Sequence, residues 1–143
     1  MARPIKCRKV GFLPKTTEFI PLGKEGDTEE IVLKVEELEA MRLKDVENLN
    51  QQECADIMGI SRQTFQNIID SAREKVAIAL INGYTIHIKG GNYAFGHCRL
   101  KCQNCNKNYE IQFVKDKEHC PKCNSSKIVC KSKKQSCKNL CIK

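Results

Sequence analysis

The chain has 143 residues, which is enough for one ordinary domain or two small ones, and it lacks Trp, which argues against large aromatic pockets. Its net charge of +8 is unevenly placed: residues 1–15 carry five Lys or Arg and no acid, residues 16–61 sum to −8, and residues 96–143 sum to +9. A basic start, an acidic middle and a basic end are typical of a protein that contacts a polyanion at particular places.

No segment has the length or composition of a membrane span or a targeting signal. The longest apolar run, VAIALI at residues 76–81, is far shorter than the roughly 20 residues that a bilayer requires. We therefore expect a cytoplasmic protein with no membrane partner. In that reducing compartment its ten cysteines are expected to bind metal or to stay free thiols.

The first 27 residues contain no periodic segment. Residues 1–15 form an arm whose basic cluster consists of Arg3, Lys6, Arg8 and Lys9. The stretch PLGKEGD at residues 21–27 is rich in turn-forming residues and predicts a loop. A basic arm of this kind either enters the minor groove of DNA or remains a disordered tail.

Residues 31–33 predict either a short strand or the segment that leads into a helix, and residues 35–49 predict that helix. Residues 31–33 are apolar, and residues 35–49 have the helical period. The buried face of that helix is expected to contain Leu38, Met41, Val46 and Leu49. Its polar side is acidic, and carboxylates near a helix N-terminus interact favourably with the helix dipole. The acidic residues are Glu36, Glu37 and Glu39.

Two further helices are predicted to meet at a glycine. Asn50 is a good N-cap, and Glu53 completes a capping box three residues later. Gly59 is expected to end this helix by adopting left-handed backbone dihedrals, and Ser61 to cap the next one. The apolar stripe of that next helix consists of Phe65, Ile68, Ile69, Ala72, Val76, Ala79 and Leu80. It stops at Asn82-Gly83, before a short strand at residues 84–89 and a turn at Gly90-Gly91.

The helix, glycine turn and helix resemble the DNA-binding helix-turn-helix. The positions that must be small or apolar in that motif are Cys54, Ala55, Met58, Ile60, Phe65 and Ile68. The opposite face of the second helix presents Arg62, Gln63, Gln66 and Asn67, whose side chains suit base edges in a major groove. Phosphate contacts are predicted for Ser61, Thr64, Arg73 and Lys75. The alternative is a helical hairpin with a solvated polar face, but it does not explain why these first turns lack Glu.

The N-terminal sequence as a whole also resembles a known family. ARPIKCRKVGFLP and the segment from LKVEELEAMRLKD to IHIKGGNY are similar to a prokaryotic family of uncharacterised, predicted DNA-binding proteins. The helical part is similar to the promoter-reading domain of sigma factors. The resemblance covers about residues 2–93 and implies a helical fold and a role in transcription. It assigns Arg62, Gln63, Gln66 and Asn67 to a recognition helix and Arg3, Lys6, Arg8 and Lys9 to the basic arm.

Two C-x-x-C knuckles follow in the C-terminal part, Cys102 to Cys105 and Cys120 to Cys123. Paired knuckles deliver four thiolates to a tetrahedral zinc ion, and the alternating Tyr109, Ile111 and Phe113 between them predict a strand. The pattern resembles a zinc ribbon. Such a small module cannot build an adequate core, so the metal is expected to supply much of its folding free energy. With four thiolates the site is structural and leaves no open coordination position.

The remaining cysteines leave an alternative open. A second metal site is considered for Cys98, Cys130, Cys137 and Cys141, since the strand-like residues 128–129 return Cys130 towards Cys98. The spacing matches no established pattern, and zinc and iron are not distinguished by it. Cys7 and Cys54 are expected to be single thiols, with Cys54 in the core.

The sequence therefore predicts a mainly α protein: a helix-turn-helix domain at residues 1–93, a small β zinc ribbon at residues 97–130, and a Lys/Cys-rich tail at residues 131–143. We expect a transcriptional regulator that binds double-stranded DNA sequence-specifically, with zinc as a structural cofactor and a homodimer as one route to a larger footprint. No catalytic constellation is present, so no enzyme is predicted. The alternatives are an adaptor for RNA polymerase or another protein, favoured by the acidic helix, and a metal- or redox-responsive regulator.

Overall fold

The structure is a computed structural model that describes residues 4–12, 14–23, 28–96 and 98–131. Several predicted features fall outside the described residues: Arg3, His97 at the predicted ribbon boundary, Cys137, Cys141 and the tail beyond residue 131. The chain divides into two compact units. Residues 12–91 form one, called here the helical unit, and residues 1–11 together with residues 92–143 form the other, called here the knuckle unit.

The elements of the described residues are as follows in chain order. The strands are β1 at Arg8–Val10, β2 at Glu18–Phe19, β3 at Glu30–Leu33, β4 at Thr85–Ile88, β5 at Tyr93–Phe95, β6 at Leu100–Cys102, β7 at Asn108–Tyr109 and β8 at Ile128–Cys130. The helices are α1 at Val35–Met41, α2 at Gln51–Met58 and α3 at Arg62–Asn82. A π-helical turn at Arg42–Val46 continues α1, and a 3-10 turn lies at Val114–Lys117.

The predicted fold class, a mainly α protein with a helix-turn-helix domain followed by a small β zinc ribbon, is wrong. In the described residues three α-helices are accompanied by eight strands in three small sheets, so the fold is mixed α and β. The unpredicted strands are only two or three residues long, and the partners of β1, β2 and β5 lie far away in the chain. Short strands with distant partners leave no local periodicity in a sequence.

Local capping explains where the helices of the helical unit begin and end. The Asn50 side chain accepts the Glu53 N–H at 2.8 Å, and the Glu53 carboxylate accepts the Asn50 N–H at 3.1 Å. Gly59 ends α2 with φ 70° and ψ 33°, in the left-handed region that glycine adopts without strain. Ser61 Oγ accepts the Thr64 N–H at 3.1 Å and starts α3. The predicted caps are confirmed.

The core of the helical unit lies where α1, α2 and α3 meet. The predicted helix-turn-helix positions are all buried in one cluster, which also contains Ala40, Leu43 and Ile69. Two predicted core residues are instead exposed, Leu80 by 75% and Val46 by 70%. Val46 lies in the π-helical turn, whose wider winding rotates it off the face that the α-helical period predicts.

The acidic side of α1 is not a solvent-exposed surface. Glu36, Glu37 and Glu39 are all buried, at 3%, 3% and 0% exposure, so the prediction of an acidic polar side is wrong. Glu39 accepts the Arg42 Nε–H at 2.7 Å, and Glu37 accepts hydrogen bonds from α3. Buried carboxylates persist only when such donors compensate their desolvation.

The sheet of the helical unit has the order β2-β4-β3, with β4 antiparallel to β2 and parallel to β3. β3 leads directly into α1, and β4 directly follows α3 through Gly83. The predicted strands at residues 31–33 and 84–89 are therefore confirmed. In the described part of the chain, no helix is both long and apolar enough to cross a bilayer.

The knuckle unit contains a parallel pair, β1-β5, and an antiparallel sheet with the order β7-β6-β8. Leu100, Tyr109 and Ile128 form a small apolar core against one face of that sheet. The predicted strand over residues 108–114 pairs with β6 only as far as Tyr109. Beyond that point the chain pairs with the N-terminal segment, because the Cys7 N–H donates to Gln112 O and the Val114 N–H donates to Ile5 O, both at 2.9 Å.

Candidate metal centre and nucleic-acid interface

The four knuckle cysteines converge on one point. The ligand atoms of Cys102, Cys105, Cys120 and Cys123 all lie within 4.8 Å of one another. The Sγ atoms of Cys102 and Cys123 are 3.5 Å apart, and those of Cys105 and Cys120 are 3.6 Å apart. Four thiolates bonded at about 2.3 Å to a tetrahedral ion lie about 3.8 Å from one another. The donor set and its spacing therefore fit a metal ion.

Each knuckle turns in the same way. The Asn106 N–H donates to Cys102 O at 2.9 Å, and the Asn124 N–H donates to Cys120 O at 2.8 Å. Both asparagines have φ 63°, the left-handed conformation that Asn tolerates better than most residues. Both knuckles read C-x-x-C-N, a signal for this turn that the sequence analysis did not use.

Hydrogen bonds tune the protonation of the cluster. The backbone N–H of Ser125, followed by the side-chain amide of Asn104, lowers the pKa of the Cys123 thiol to about 6. Although the backbone N–H of Lys107 acts in the opposite direction, desolvation and the neighbouring thiols raise the pKa of Cys105 to about 11. At neutral pH the thiolate is therefore favoured at Cys123, whereas Cys105 must release its proton when a metal ion binds.

The second predicted metal site is only partly within the described residues. β8 runs antiparallel to β6 and places Cys130 opposite Leu100, two residues along the chain from Cys98. Cys98 and Cys130 are both half-buried. The other two predicted ligands, Cys137 and Cys141, lie outside the described residues, so this site stays a prediction.

The predicted base-reading side chains lie together on the exposed start of α3. Arg62, Gln63 and Asn67 are exposed, and Gln66 is half-buried. Arg62 Nε–H donates to the Gln51 side chain at 3.2 Å, Gln51 donates to Gln66, and Gln63 donates to Asn67 at 3.1 Å. These side-chain hydrogen bonds align the polar side chains along one face of α2 and α3.

The predicted phosphate contacts have different surroundings. Ser61 and Thr64 are bonded to each other at the N-terminus of α3, with Ser61 Oγ donating to Thr64 Oγ1 at 2.9 Å. Arg73 forms an ion pair with Asp45 at 2.5 Å, and Lys75 donates to the buried Glu37 at 2.8 Å. The guanidinium of Arg73 and the ammonium of Lys75 are therefore already engaged within the helical unit.

The basic arm is a strand in the described residues. Arg8 and Lys9 lie in β1, opposite Tyr93 and Ala94 of β5, and Lys6 forms a bridge with Phe113. This places Lys6, Arg8 and Lys9 in the knuckle unit, whereas the sequence had grouped them with the helices.

One cluster was missed by the sequence analysis. His87 on β4 lies between Glu18 on β2 and Glu30 on β3, with its Nδ1 at 4.0 Å and 3.3 Å from their carboxylates. Lys89 Nζ also lies 3.4 Å from the Glu30 carboxylate, so a cationic partner is already present. The cluster depends on the register of three strands, which no local pattern in the sequence reveals.

Comparison with known proteins assigns the chain to a family. Residues 1–96 match the family described as "Protein of unknown function DUF134". A UPF0251 protein of Clostridium acetobutylicum is 59% identical over 142 residues, covering 99% of this chain and 99% of the relative. A UPF0251 protein of Clostridium novyi (strain NT) is 55% identical over 144 residues, covering 100% and 98%. No solved structure matches the chain significantly. The chain therefore belongs to the DUF134 family of uncharacterised proteins, to which its UPF0251 relatives correspond.

Proposed function

We propose that this protein binds duplex DNA sequence-specifically and regulates transcription, with α3 as its recognition helix. The observation that carries the proposal is the pairing of α2 and α3 through the left-handed Gly59 over one shared core. This pairing leaves the first two turns of α3 polar and exposed, as in a helix that enters a major groove.

The composition of that exposed surface supports base readout. It contains one arginine, whose guanidinium suits guanine, and several side-chain amides, which suit adenine. The first acid along α3 is Asp70, so no carboxylate of α3 opposes DNA in its first two turns. The proposed base contacts are Arg62, Gln63, Gln66 and Asn67. On binding, their present hydrogen bonds to neighbouring amides, and that of Gln66 to the Asp70 carboxylate, are exchanged for bonds to base edges.

Phosphate binding is proposed at the N-terminus of α3, through Ser61 and Thr64. Exposed N–H groups and the helix dipole favour an anion at such a position. Arg73 is a weaker candidate than the sequence indicated, because contact with a phosphate would compete with Asp45. Lys6, Arg8 and Lys9 are proposed to contact phosphates from the knuckle unit rather than as a free arm.

We further propose that the knuckle cysteines hold a zinc ion. Four converging thiolates, two of them buried, are the usual ligand set of a structural zinc site. Zinc would replace the large core that this unit lacks and hold the two knuckles together. Because the protein supplies all four ligands, these residues position no substrate, and we propose no catalytic role for them.

The adaptor interpretation depended on an exposed acidic surface on α1, and the structure exposes fewer acidic residues there than expected. The acidic residues of α1 are buried, and only Asp45 and Glu47 of its continuation are exposed acids. For the redox-responsive alternative, burial raises the pKa of the Cys54 thiol, which makes it unreactive. The burial of the acidic residues of α1 supports DNA binding over the adaptor, whereas the raised pKa of Cys54 argues only against that thiol as a redox sensor.

The test is selection of binding sites from a random duplex library with zinc-loaded protein. We expect an enriched motif, and a palindromic one would indicate a homodimer. Arg62→Ala should then lose about 1–3 kcal/mol on the selected motif and relax the preference at one base. Lys15→Ala, which removes one exposed charge elsewhere in the helical unit, should retain that preference.

Two other outcomes are informative. Equal losses of Arg62→Ala on all sequences would make Arg62 a phosphate contact. Retention of the library without any enriched motif would contradict sequence-specific binding and favour the adaptor for RNA polymerase or another protein.

A further inference from the structure

The antiparallel sheet of the knuckle unit has one apolar and one polar face. Leu100, Tyr109 and Ile128 are buried on the apolar face. Side chains alternate along a strand, so the residues between and beyond them lie on the other face. That face, called here the basic sheet face, carries Arg99, Lys101, Gln103, Asn108, Glu110, Lys127, Val129 and Lys131, all of which are exposed except the half-buried Lys101.

The charges on the basic sheet face are mostly positive, and most of the positive charges are uncompensated. Glu110 is its single acid, and its carboxylate is paired with Arg99 at 3.0 Å. Lys101, Lys127 and Lys131 have no ion pair with any residue that the structure describes. The register places Lys101 opposite Val129, between the two other lysines. Diagonal neighbours of this kind have Cβ atoms about 7–8 Å apart, so three positive charges are held close together.

The two units differ in charge. Residues 12–91 carry nine Lys or Arg and fourteen acids, a net charge of −5. Residues 1–11 and 92–143 carry sixteen Lys or Arg and three acids, a net charge of +13. The helical unit therefore has the base-reading surface but opposes the approach of a polyanion, whereas the knuckle unit attracts one.

We propose that the basic sheet face binds the phosphate backbone of duplex DNA and supplies most of the sequence-independent affinity of the protein. This inference rests on the proposed function and assigns the electrostatic part of DNA binding to a defined surface outside the helix-turn-helix. The face carries no aromatic side chain on which unpaired bases could stack, which argues for a duplex over single-stranded RNA.

The test compares two triple variants of the zinc-loaded full chain. Lys101→Gln, Lys127→Gln and Lys131→Gln together remove the free charges of the basic sheet face. Lys107→Gln, Lys115→Gln and Lys122→Gln remove the same charge from exposed positions of the same unit outside that face. Zinc content and circular dichroism establish that both variants fold.

The measured quantity is the affinity for a duplex without the selected motif, over a range of salt concentrations. Each lost phosphate contact reduces the magnitude of the negative slope of log K against log salt by about 0.9, so the slope of the first variant should be shallower by about 2–3 units. The second should lose less than about one unit. The first variant should also keep the base preference of the wild-type protein on the selected motif.

Unchanged binding of the first variant, or equal losses in both variants, would overturn the inference. If the Arg62→Ala effect on the motif persisted in that case, the proposed function would still stand. If the wild-type protein bound no duplex at all, both the proposed function and this inference would be wrong. Binding to anionic lipid vesicles would then show whether the face contacts a different polyanion.

Discussion

At the scale of single residues, the carboxylate of Glu37 connects α1 to α3. It accepts hydrogen bonds from Ser71 Oγ at 2.6 Å and Lys75 Nζ at 2.8 Å, and from the backbone N–H of Lys34 at 2.8 Å. Burial raises the pKa of Glu37, but the bonds from Lys75, Ser71 and Lys34 outweigh it, so the pKa lies below its ordinary value. The ionised form is therefore favoured by the folded state.

Glu37→Gln should lower the free energy of unfolding by about 1–3 kcal/mol at pH 7, because it removes a charged acceptor from buried donors. A carboxyl whose pKa is lowered on folding stabilises the protein above the unfolded pKa, and that contribution disappears as pH falls through the folded pKa. The difference between wild type and variant should thus shrink below about pH 4. Urea denaturation over pH 3–7 measures it.

The matched control is Glu74→Gln, which changes an exposed carboxyl on the same helix. It should alter stability by less than about 0.5 kcal/mol at any pH. A difference for Glu37→Gln that stayed constant with pH would contradict a role for the ionised carboxylate.

The acidic residues of α1 also show a limit of reading a sequence locally. A run of glutamates near a helix N-terminus is usually solvated, and nothing within residues 35–49 indicates otherwise. The donors that bury Glu37 are on α3, more than thirty residues away. Such pairing belongs to the tertiary structure and could not be predicted. The convergence of the four knuckle cysteines could be, because the spacing of two C-x-x-C pairs is itself a metal-binding pattern.

At the scale of elements, the turn between α2 and α3 depends on the backbone of Gly59. Its φ is 70°, and a residue with a Cβ is destabilised by roughly 1–2 kcal/mol in this left-handed region. Asn tolerates the region better than other residues. Gly59→Ala should lower the free energy of unfolding by that amount, and Gly59→Asn by clearly less. Thermal or urea denaturation of the zinc-loaded protein measures both. Equal effects of Ala and Asn would mean that space around the turn, not backbone strain, requires glycine.

The helical elements were also the most predictable part of the fold. Asn50, Gly59 and Ser61 act on their own neighbours in the chain, so their positions fix the bounds of α2 and α3. The face of α1 was predicted less well, because the π-helical turn at Arg42–Val46 changes the period midway. β1 and β5 could not be predicted, because each is a strand only through its pairing with the other, and the two lie more than eighty residues apart in the chain.

At the scale of the whole molecule, the chain enters the knuckle unit, leaves it to build the helical unit, and then returns. The first pass contributes β1, whose Val10 is 1% exposed, and Cys7, which is 4% exposed. The N-terminal segment is therefore part of the interior of a unit whose four converging cysteines lie towards the other end of the sequence. The segment carries its positive charge on exposed residues such as Lys6 and Lys9, whereas Cys7 and Val10 pack in the interior.

Deleting residues 1–11 should consequently destabilise the knuckle unit and leave the helical unit folded. The deletion removes the partner of β5 and the bonds to Gln112 and Val114, together with buried apolar surface worth about 1.5–3 kcal/mol for a residue such as Val10. Amide hydrogen exchange of the zinc-loaded protein should show lost protection in β5 and β6 and retained protection in α3. Lys6→Gln with Lys9→Gln keeps the strand but removes charge, so it should preserve protection throughout.

Loss of protection in α3 on deletion would instead mean that the two units unfold as one cooperative body. Unchanged protection in β5 would show that β1 contributes nothing to stability.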